Sequence, residues 1–119
     1  MKTILIIDDE KRIRDIYKRI FNATCRSICR VVEAENAKDA TEHLVTEKVD
    51  LVLLDLRMPV IDGPIIYGLI KESNPNVKII VASVYPVEEQ KRLVPFADDY
   101  YDKSGGTFKF LEKVTTALV

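Results

Sequence analysis

The chemistry-bearing residues of this chain sit where apolar runs stop. Asp8 and Asp9 follow residues 3–7 (TILII), Asp55 follows 51–54 (LVLL), Ser83 follows 77–82 (VKIIVA) and Lys103 follows 98–102 (DDYYD). Any one of them alone is an ordinary polar residue at a strand end. Together they form an acidic pair, a lone acid, a hydroxyl and a lysine, which is more than solvation asks for. If the runs are parallel strands of one sheet, all five side chains share an edge. Three neighbouring carboxylates repel one another and need a compensating cation. An all-oxygen set with few ligands suits Mg2+, which keeps several waters and favours carboxylates together with a phosphate oxygen. Lys103 adds a point charge matched to a phosphate, and Ser83 adds a rotatable hydroxyl.

The elements that would position these groups alternate in type. Ile13, Ile16, Tyr17, Ile20 and Phe21 recur at i, i+3, i+4, i+7 and i+8, the spacing of one helix face. Residues 30–34 (RVVEA) read as a second strand. Asn36 reads as the N-cap of a helix carrying Ala37, Ala40, Leu44 and Val45 on one side. A helix from about residue 64 buries Ile66, Leu69 and Ile70, and residues 74–76 (NPN) stop it. Pro86 and Pro95 bracket a short charged helix. After residues 103–106 (KSGG), a last helix turns Phe108, Leu111, Val114 and Leu118 to one face. Five strands alternating with five helices, the inner strands apolar throughout, predict an α/β doubly wound fold, a parallel sheet covered on both faces by right-handed crossovers. Ligands then gather beyond the carboxyl ends of the strands.

Composition narrows the function classes. A length of 119 residues predicts a single domain over 1–119, long enough for one core. With 18 basic against 19 acidic residues, the charge gives no reason to expect nucleic acid or an anionic membrane as the main partner. No apolar run approaches the ~18 residues of a membrane span. Asp8-Asp9-Glu10 cuts the first run short of the ~7–15 residues of a secretory leader, so the expected location is the cytoplasm. Cys25 and Cys29 lack C-x2-C spacing and further zinc ligands, and read as reduced, partly buried thiols. No G-x-G-x-x-G or P-loop follows a strand, which sets a nucleotide-binding enzyme aside.

Residues 4–10 (ILIIDDE), 50–63 (DLVLLDLRMPVIDG), 78–83 (KIIVAS) and 97–104 (ADDYYDKS) together resemble the response-regulator receiver domain of two-component signalling. The likeness covers essentially the whole chain, and the D-x-x-M-P-x-x-D-G segment is its most specific part. The resemblance implies a flavodoxin-like five-stranded sheet of order 2-1-3-4-5. It also implies a function: Mg2+-dependent acceptance of a phosphoryl group on Asp55 from a sensor histidine kinase, a phosphotransfer protein or a small phosphodonor. Asp9 and Asp55 would then ligate Mg2+ directly with the backbone carbonyl of Arg57, while Asp8 acts through water or supports Asp9. Lys103 would pair with the phosphoryl oxygens, Ser83 would be drawn toward them, and Tyr100 would hold the position of an aromatic switch. Such a module catalyses only its own phosphorylation and dephosphorylation. It works on an output protein or a fused output domain, with no nucleic-acid or membrane binding of its own. The chemistry agrees, since in-line phosphoryl transfer rests on positioning and charge neutralisation.

Three features depart from that family. Val84 stands where Ala or Gly is usual and should hinder small donors. Ser104 replaces a proline that follows the lysine in a cis peptide, so a trans bond and a different aim for Lys103 are expected. The stretch between Ser83 and Lys103 is short, which implies a clipped fourth helix and bears on partner choice. Other residues keep two readings. Arg57 could shield the phosphoryl group, contact the acids or face water, and Tyr100 could be plain packing. The basic run Lys11, Arg12, Arg14, Lys18 and Arg19 reads as a solvated face, or as part of a kinase-docking surface. His43 reads as a surface or boundary histidine, and Asp98 and Asp99 as the start of a strand. Two other functions compete. One is a receiver-like scaffold that no longer depends on phosphorylation. The other is a Mg2+-dependent phosphatase, whose usual D-x-D pair and cap domain are not seen. With no DNA-binding segment after Val119, the chain is either a stand-alone receiver or a fragment of a longer regulator.

Overall fold

Alternation within each strand sets the layers. In β1 (Lys2–Ile7), Ile4 and Ile6 face one core while Leu5 and Ile7 face the other. The same split separates Leu51 and Leu53 from Val52 and Leu54 in β3 (Leu51–Leu54), and Ile80 and Ala82 from Ile79 and Val81 in β4 (Lys78–Ser83). Strands buried on both faces need apolar residues at every position, which is why these runs are continuous in the sequence.

The computed structural model describes residues 1–56 and 63–119. The remaining elements are α1 (Lys11–Thr24), β2 (Cys29–Ala34), α2 (Ala37–Thr46), α3 (Gly63–Ser73), α4 (Val87–Leu93), β5 (Asp99–Asp102) and α5 (Thr107–Leu118). The sheet runs β2-β1-β3-β4-β5 with every pair parallel, the expected doubly wound order. On one face Tyr17 and Phe21 of α1 meet Phe110 and Val114 of α5. The Tyr17 ring stacks on Phe110 at 4.8 Å between centroids. On the other face lie Ala40 of α2 and Ile66 and Ile70 of α3, with Leu93 of α4 packed alongside. Asn36 caps α2 as expected, its Oδ1 accepting from Asp39 N–H at 2.9 Å.

The helices turn differently from the sequence reading in four places. Ile16, Val45, Leu69 and Phe108, expected inward, are 41%, 74%, 47% and 79% exposed. Each lies one or two residues from the true inward line, and each residue turns a helix by ~100°. Phe110, not Phe108, fills the α1–α5 layer. Arg14, expected on a solvated face, is 7% exposed, and it takes the inward place one turn before Tyr17. The short α4 spans seven residues after Pro86, as its bracketing prolines imply.

Candidate functional site

The site is built one rung beyond the strands. Ile7 pairs with Ala34 and Leu54, and Leu54 with Val81. The next N–H groups extend the ladder: Asp8 N–H donates to Ala34 O at 3.1 Å and Asp55 N–H to Ile7 O at 3.0 Å. On the other side Lys103 N–H donates to Ser83 O at 2.9 Å. The backbone of each of these three residues is thus fixed by the same bonds that hold the sheet.

Asp8 and Asp55 are nearly closed off from water, at 1% and 4% exposed. Lys103 Nζ reaches both, 2.9 Å from Asp8 Oδ2 and 3.6 Å from Asp55 Oδ2. Three side-chain and carbonyl bonds, the Lys103 contact among them, hold Asp8. Its Oδ1 accepts from Glu10 N–H at 2.9 Å, its Oδ2 accepts from Lys103, and its carbonyl accepts from Arg14 Nη1 at 2.7 Å. Asp9 is half-buried, and one carboxylate oxygen from each of Asp8, Asp9 and Glu10 lies within 4.8 Å of the others.

These residues fit a hard divalent cation. The donors are carboxylate oxygens, and Lys103 is a single positive charge set between two buried acids with Asp9 beside them. Among the described residues, the paired buried carboxylates and Asp9 beside them outnumber the positive charge of Lys103, an arrangement suited to a divalent cation.

Ser83 is fully buried, and its Oγ accepts from Tyr85 N–H at 3.2 Å. Val84 beside it is 51% exposed. Tyr100 points inward at 7% exposed; its hydroxyl donates to Val94 O and accepts from Ala97 N–H at 3.3 Å, joining β5 to the end of α4. Arg57 lies outside the described residues. His43 is a boundary residue, its ring nitrogens set against Glu47 and the Glu33 carbonyl. Asp98 lies just before β5 and accepts from Ile79 N–H at 2.8 Å, whereas Asp99 opens the strand.

The expected re-aiming of Lys103 is not what the geometry has. The peptide bonds of the described residues are all trans, so Ser104 follows Lys103 without a cis link, yet Nζ still reaches both acids. Ser104 folds back on Asp102, giving its N–H and hydroxyl to Asp102 Oδ1 at 2.9 and 2.7 Å. Those two bonds hold the Asp102 carboxyl below its ordinary range. Gly106, at φ 89°, turns the chain into α5 through a conformation that favours glycine.

Sequence reading missed three members of this neighbourhood. Arg14 braces the Asp8 carbonyl and pairs through Nε with Glu33 Oε1 at 2.8 Å, a contact between elements that no local pattern reveals. Tyr17 was legible as core, but not as a phenol near the acids. Burial first, and then the charge of Asp8, pushes its ionisation well above the ordinary range. Gln90 was hidden in a charged helix, and it is fully buried.

Comparison with known proteins agrees with the geometry. Residues 4–114 match the family model for the response regulator receiver domain. Sporulation initiation phosphotransferase F of Bacillus subtilis is 32% identical over 94 residues, covering 76% of this chain and 73% of its own length. A cyclic di-GMP phosphodiesterase of Thermotoga maritima is 30% identical over 98% of this chain, which spans only 31% of that protein. The response regulator TrrA of Thermotoga maritima, solved in complex with Mg2+-BeF, superposes with a TM-score of 0.85 at 32% identity, covering 99% of this chain and 100% of TrrA. TrrA in complex with the histidine kinase ThkA gives a TM-score of 0.86 over the full length of both chains. The chain belongs to the response regulator receiver domain family.

Proposed function

We propose that residues 1–119 form one receiver unit that accepts a phosphoryl group on Asp55 and thereby switches a protein-interaction surface. The observation that carries this reading is the Lys103 ammonium set between Asp8 and Asp55, three residues from three strand ends. An Asp55 carboxylate oxygen attacks the phosphorus of a phosphohistidine or acyl phosphate, and the bond from phosphorus to the donor breaks. Lys103 then exchanges part of its attraction to the carboxylates for the phosphoryl oxygens. Ser83 turns its hydroxyl from Tyr85 toward the same oxygens, and Tyr100 follows the loop it anchors. In this reading Asp9 and Asp55 would hold Mg2+ directly and Asp8 would support Asp9; the third ligand expected from the sequence, the carbonyl of Arg57, falls outside the described residues. Bound there, Mg2+ neutralises charge on the transferring group.

The phosphodonor is a sensor histidine kinase or phosphotransfer protein. Ile13, Ile16 and Ile20 line a groove of about 190 Å³ beside Lys103 and Thr107, an apolar patch next to the acids that suits a docking helix. Output passes to a partner protein or a fused domain, in the cytoplasm, without turnover of any other substrate. None of the described helices is long and apolar enough to cross a membrane.

The test is intact mass after incubation with Mg2+ and acetyl phosphate, for wild type and Asp55→Ala, repeated with a phosphorylated histidine kinase. One phosphoryl adduct on wild type alone supports the reading. An adduct on both proteins, or on neither with either donor, refutes it.

A further inference from the structure

Gln90 lies on the inward side of α4 with no exposed surface. Its Nε2 donates to Tyr85 O at 2.7 Å and to Tyr101 O at 3.0 Å, and stands 3.5 Å from Ser83 O. One amide nitrogen thus ties the loop after β4 to β5, between the residues that flank the acid site. The Oε1 of the same amide is buried and accepts no hydrogen bond from any described residue. A carbonyl shut away from water without a donor is a cost that native interiors rarely carry, so it calls for a physical role.

The Ser83 hydroxyl supplies one. In this structure it accepts the Tyr85 N–H. If that hydroxyl turns toward a phosphoryl oxygen, the Tyr85 N–H loses its acceptor. Gln90 already holds the Tyr85 carbonyl, and a planar amide can pair with both the C=O and the N–H of a single residue. We propose that Gln90 is a positioning residue of the phosphoryl switch, whose Oε1 takes over the Tyr85 N–H when Ser83 turns to Asp55. The amide is half-satisfied in the resting form and fully satisfied in the activated one, so it favours activation. The inference rests on the roles given above to Ser83 and Asp55 and deepens them. One neutral hydrogen bond gained corresponds to roughly two- to tenfold in the equilibrium.

The experiment titrates the intact chain with beryllofluoride, a phosphoryl mimic, at saturating Mg2+. Gln90→Met keeps the length and apolar bulk of the side chain and removes both polar atoms. The expected result is a beryllofluoride Kd about fivefold weaker in the variant. A merely structural tie lowers the urea midpoint and leaves that Kd unchanged, which overturns the proposal. A second measurement needs no variant: in 15N-labelled wild type, the Tyr85 amide stays protected from solvent exchange when beryllofluoride binds. An amide that becomes exchangeable overturns the proposal as well. Wild type that binds no beryllofluoride overturns both this proposal and the phosphoacceptor reading, whereas equal binding by both proteins overturns this one alone.

Discussion

Replacing Arg14 with methionine removes the guanidinium while keeping most of its aliphatic reach, and the structure apportions the loss. The first part is the 2.7 Å bond from Nη1 to the Asp8 carbonyl. A hydrogen bond from a charged donor contributes about 1.5–3 kcal/mol, and breaking this one strands a carbonyl beside a residue that is only 1% exposed. The second part is the ion pair with Glu33, whose side chain is 32% exposed and keeps Lys18 as a partner. That share is about 0.2–1 kcal/mol. Returning the guanidinium's own desolvation offsets some of the total, so the expected loss at pH 7 is about 2–3 kcal/mol. Urea unfolding should show a midpoint lower by roughly 1–2 M. The pH dependence separates the two parts. Lys18 first, and then Arg14, hold the Glu33 carboxyl below its ordinary value of 4.5. A depressed carboxyl stabilises the fold above that ordinary value and loses its contribution as pH falls through the folded value. As pH falls from above 4.5 through the lowered folded value, the gap between wild type and Arg14→Met should therefore narrow progressively by Glu33's share and persist by Asp8's. A gap below about 0.5 kcal/mol at pH 7, or one that closes entirely in acid, refutes the brace on Asp8.

Three further outcomes can be checked directly. The Tyr17 phenol is held neutral by burial and by Asp8, so folded-state stability should fall above pH 10 as the unfolded chain ionises. Tyr17→Phe should flatten that alkaline fall in urea unfolding and change stability at pH 7 by less than about 1 kcal/mol, because the buried hydroxyl has no described partner. Burial, and then Cys25 beside it, pushes the Cys29 thiol up to about 12, so one thiol should react quickly with an aromatic disulfide and Cys25→Ser should remove that fast phase. Val84→Ala should quicken phosphorylation by acetyl phosphate and leave kinase-driven transfer unchanged; equal acetyl phosphate rates in both proteins refute steric hindrance by Val84, which is half-exposed beside buried Ser83.

The sheet was legible because its inner strands are buried on both faces, and burial on both faces writes an unbroken apolar run. The helices were legible in period but not in rotation. An apolar stripe such as Ile13, Ile16, Tyr17, Ile20 and Phe21 is wider than the line that touches the sheet, and only packing partners choose within it. Tyr17 was drawn inward by Phe110, 93 positions later in the chain, and Ile16 was left at the surface. Arg14 was misread for the opposite reason. Its burial depends on a carbonyl at the end of β1 and a carboxylate in β2, neither of which is visible from the helix's own spacing.

The sequence placed two acids and a lysine on one sheet edge, where Lys103 lies beside Asp8 and Asp55, and one misjudged point there shows what sets that geometry. Losing a proline after Lys103 was expected to redirect the lysine. A side chain's direction, however, is set by its own backbone, and that backbone is pinned to β4 by the Lys103 N–H to Ser83 carbonyl bond at 2.9 Å. Downstream, the Ser104 bonds to Asp102 and the close approach of Gly105 to the Asp102 carbonyl confine the turn without a ring. A Cβ at Gly105 would lie 3.0 Å from that carbonyl oxygen, so the turn is tight as well as hydrogen-bonded. Lys103 therefore reaches Asp8 and Asp55 because the parallel ladder ends there. The same ladder holds the N–H groups of Asp8 and Asp55. Charge placement in this site is a consequence of sheet register, so a residue outside the ladder can change without moving it.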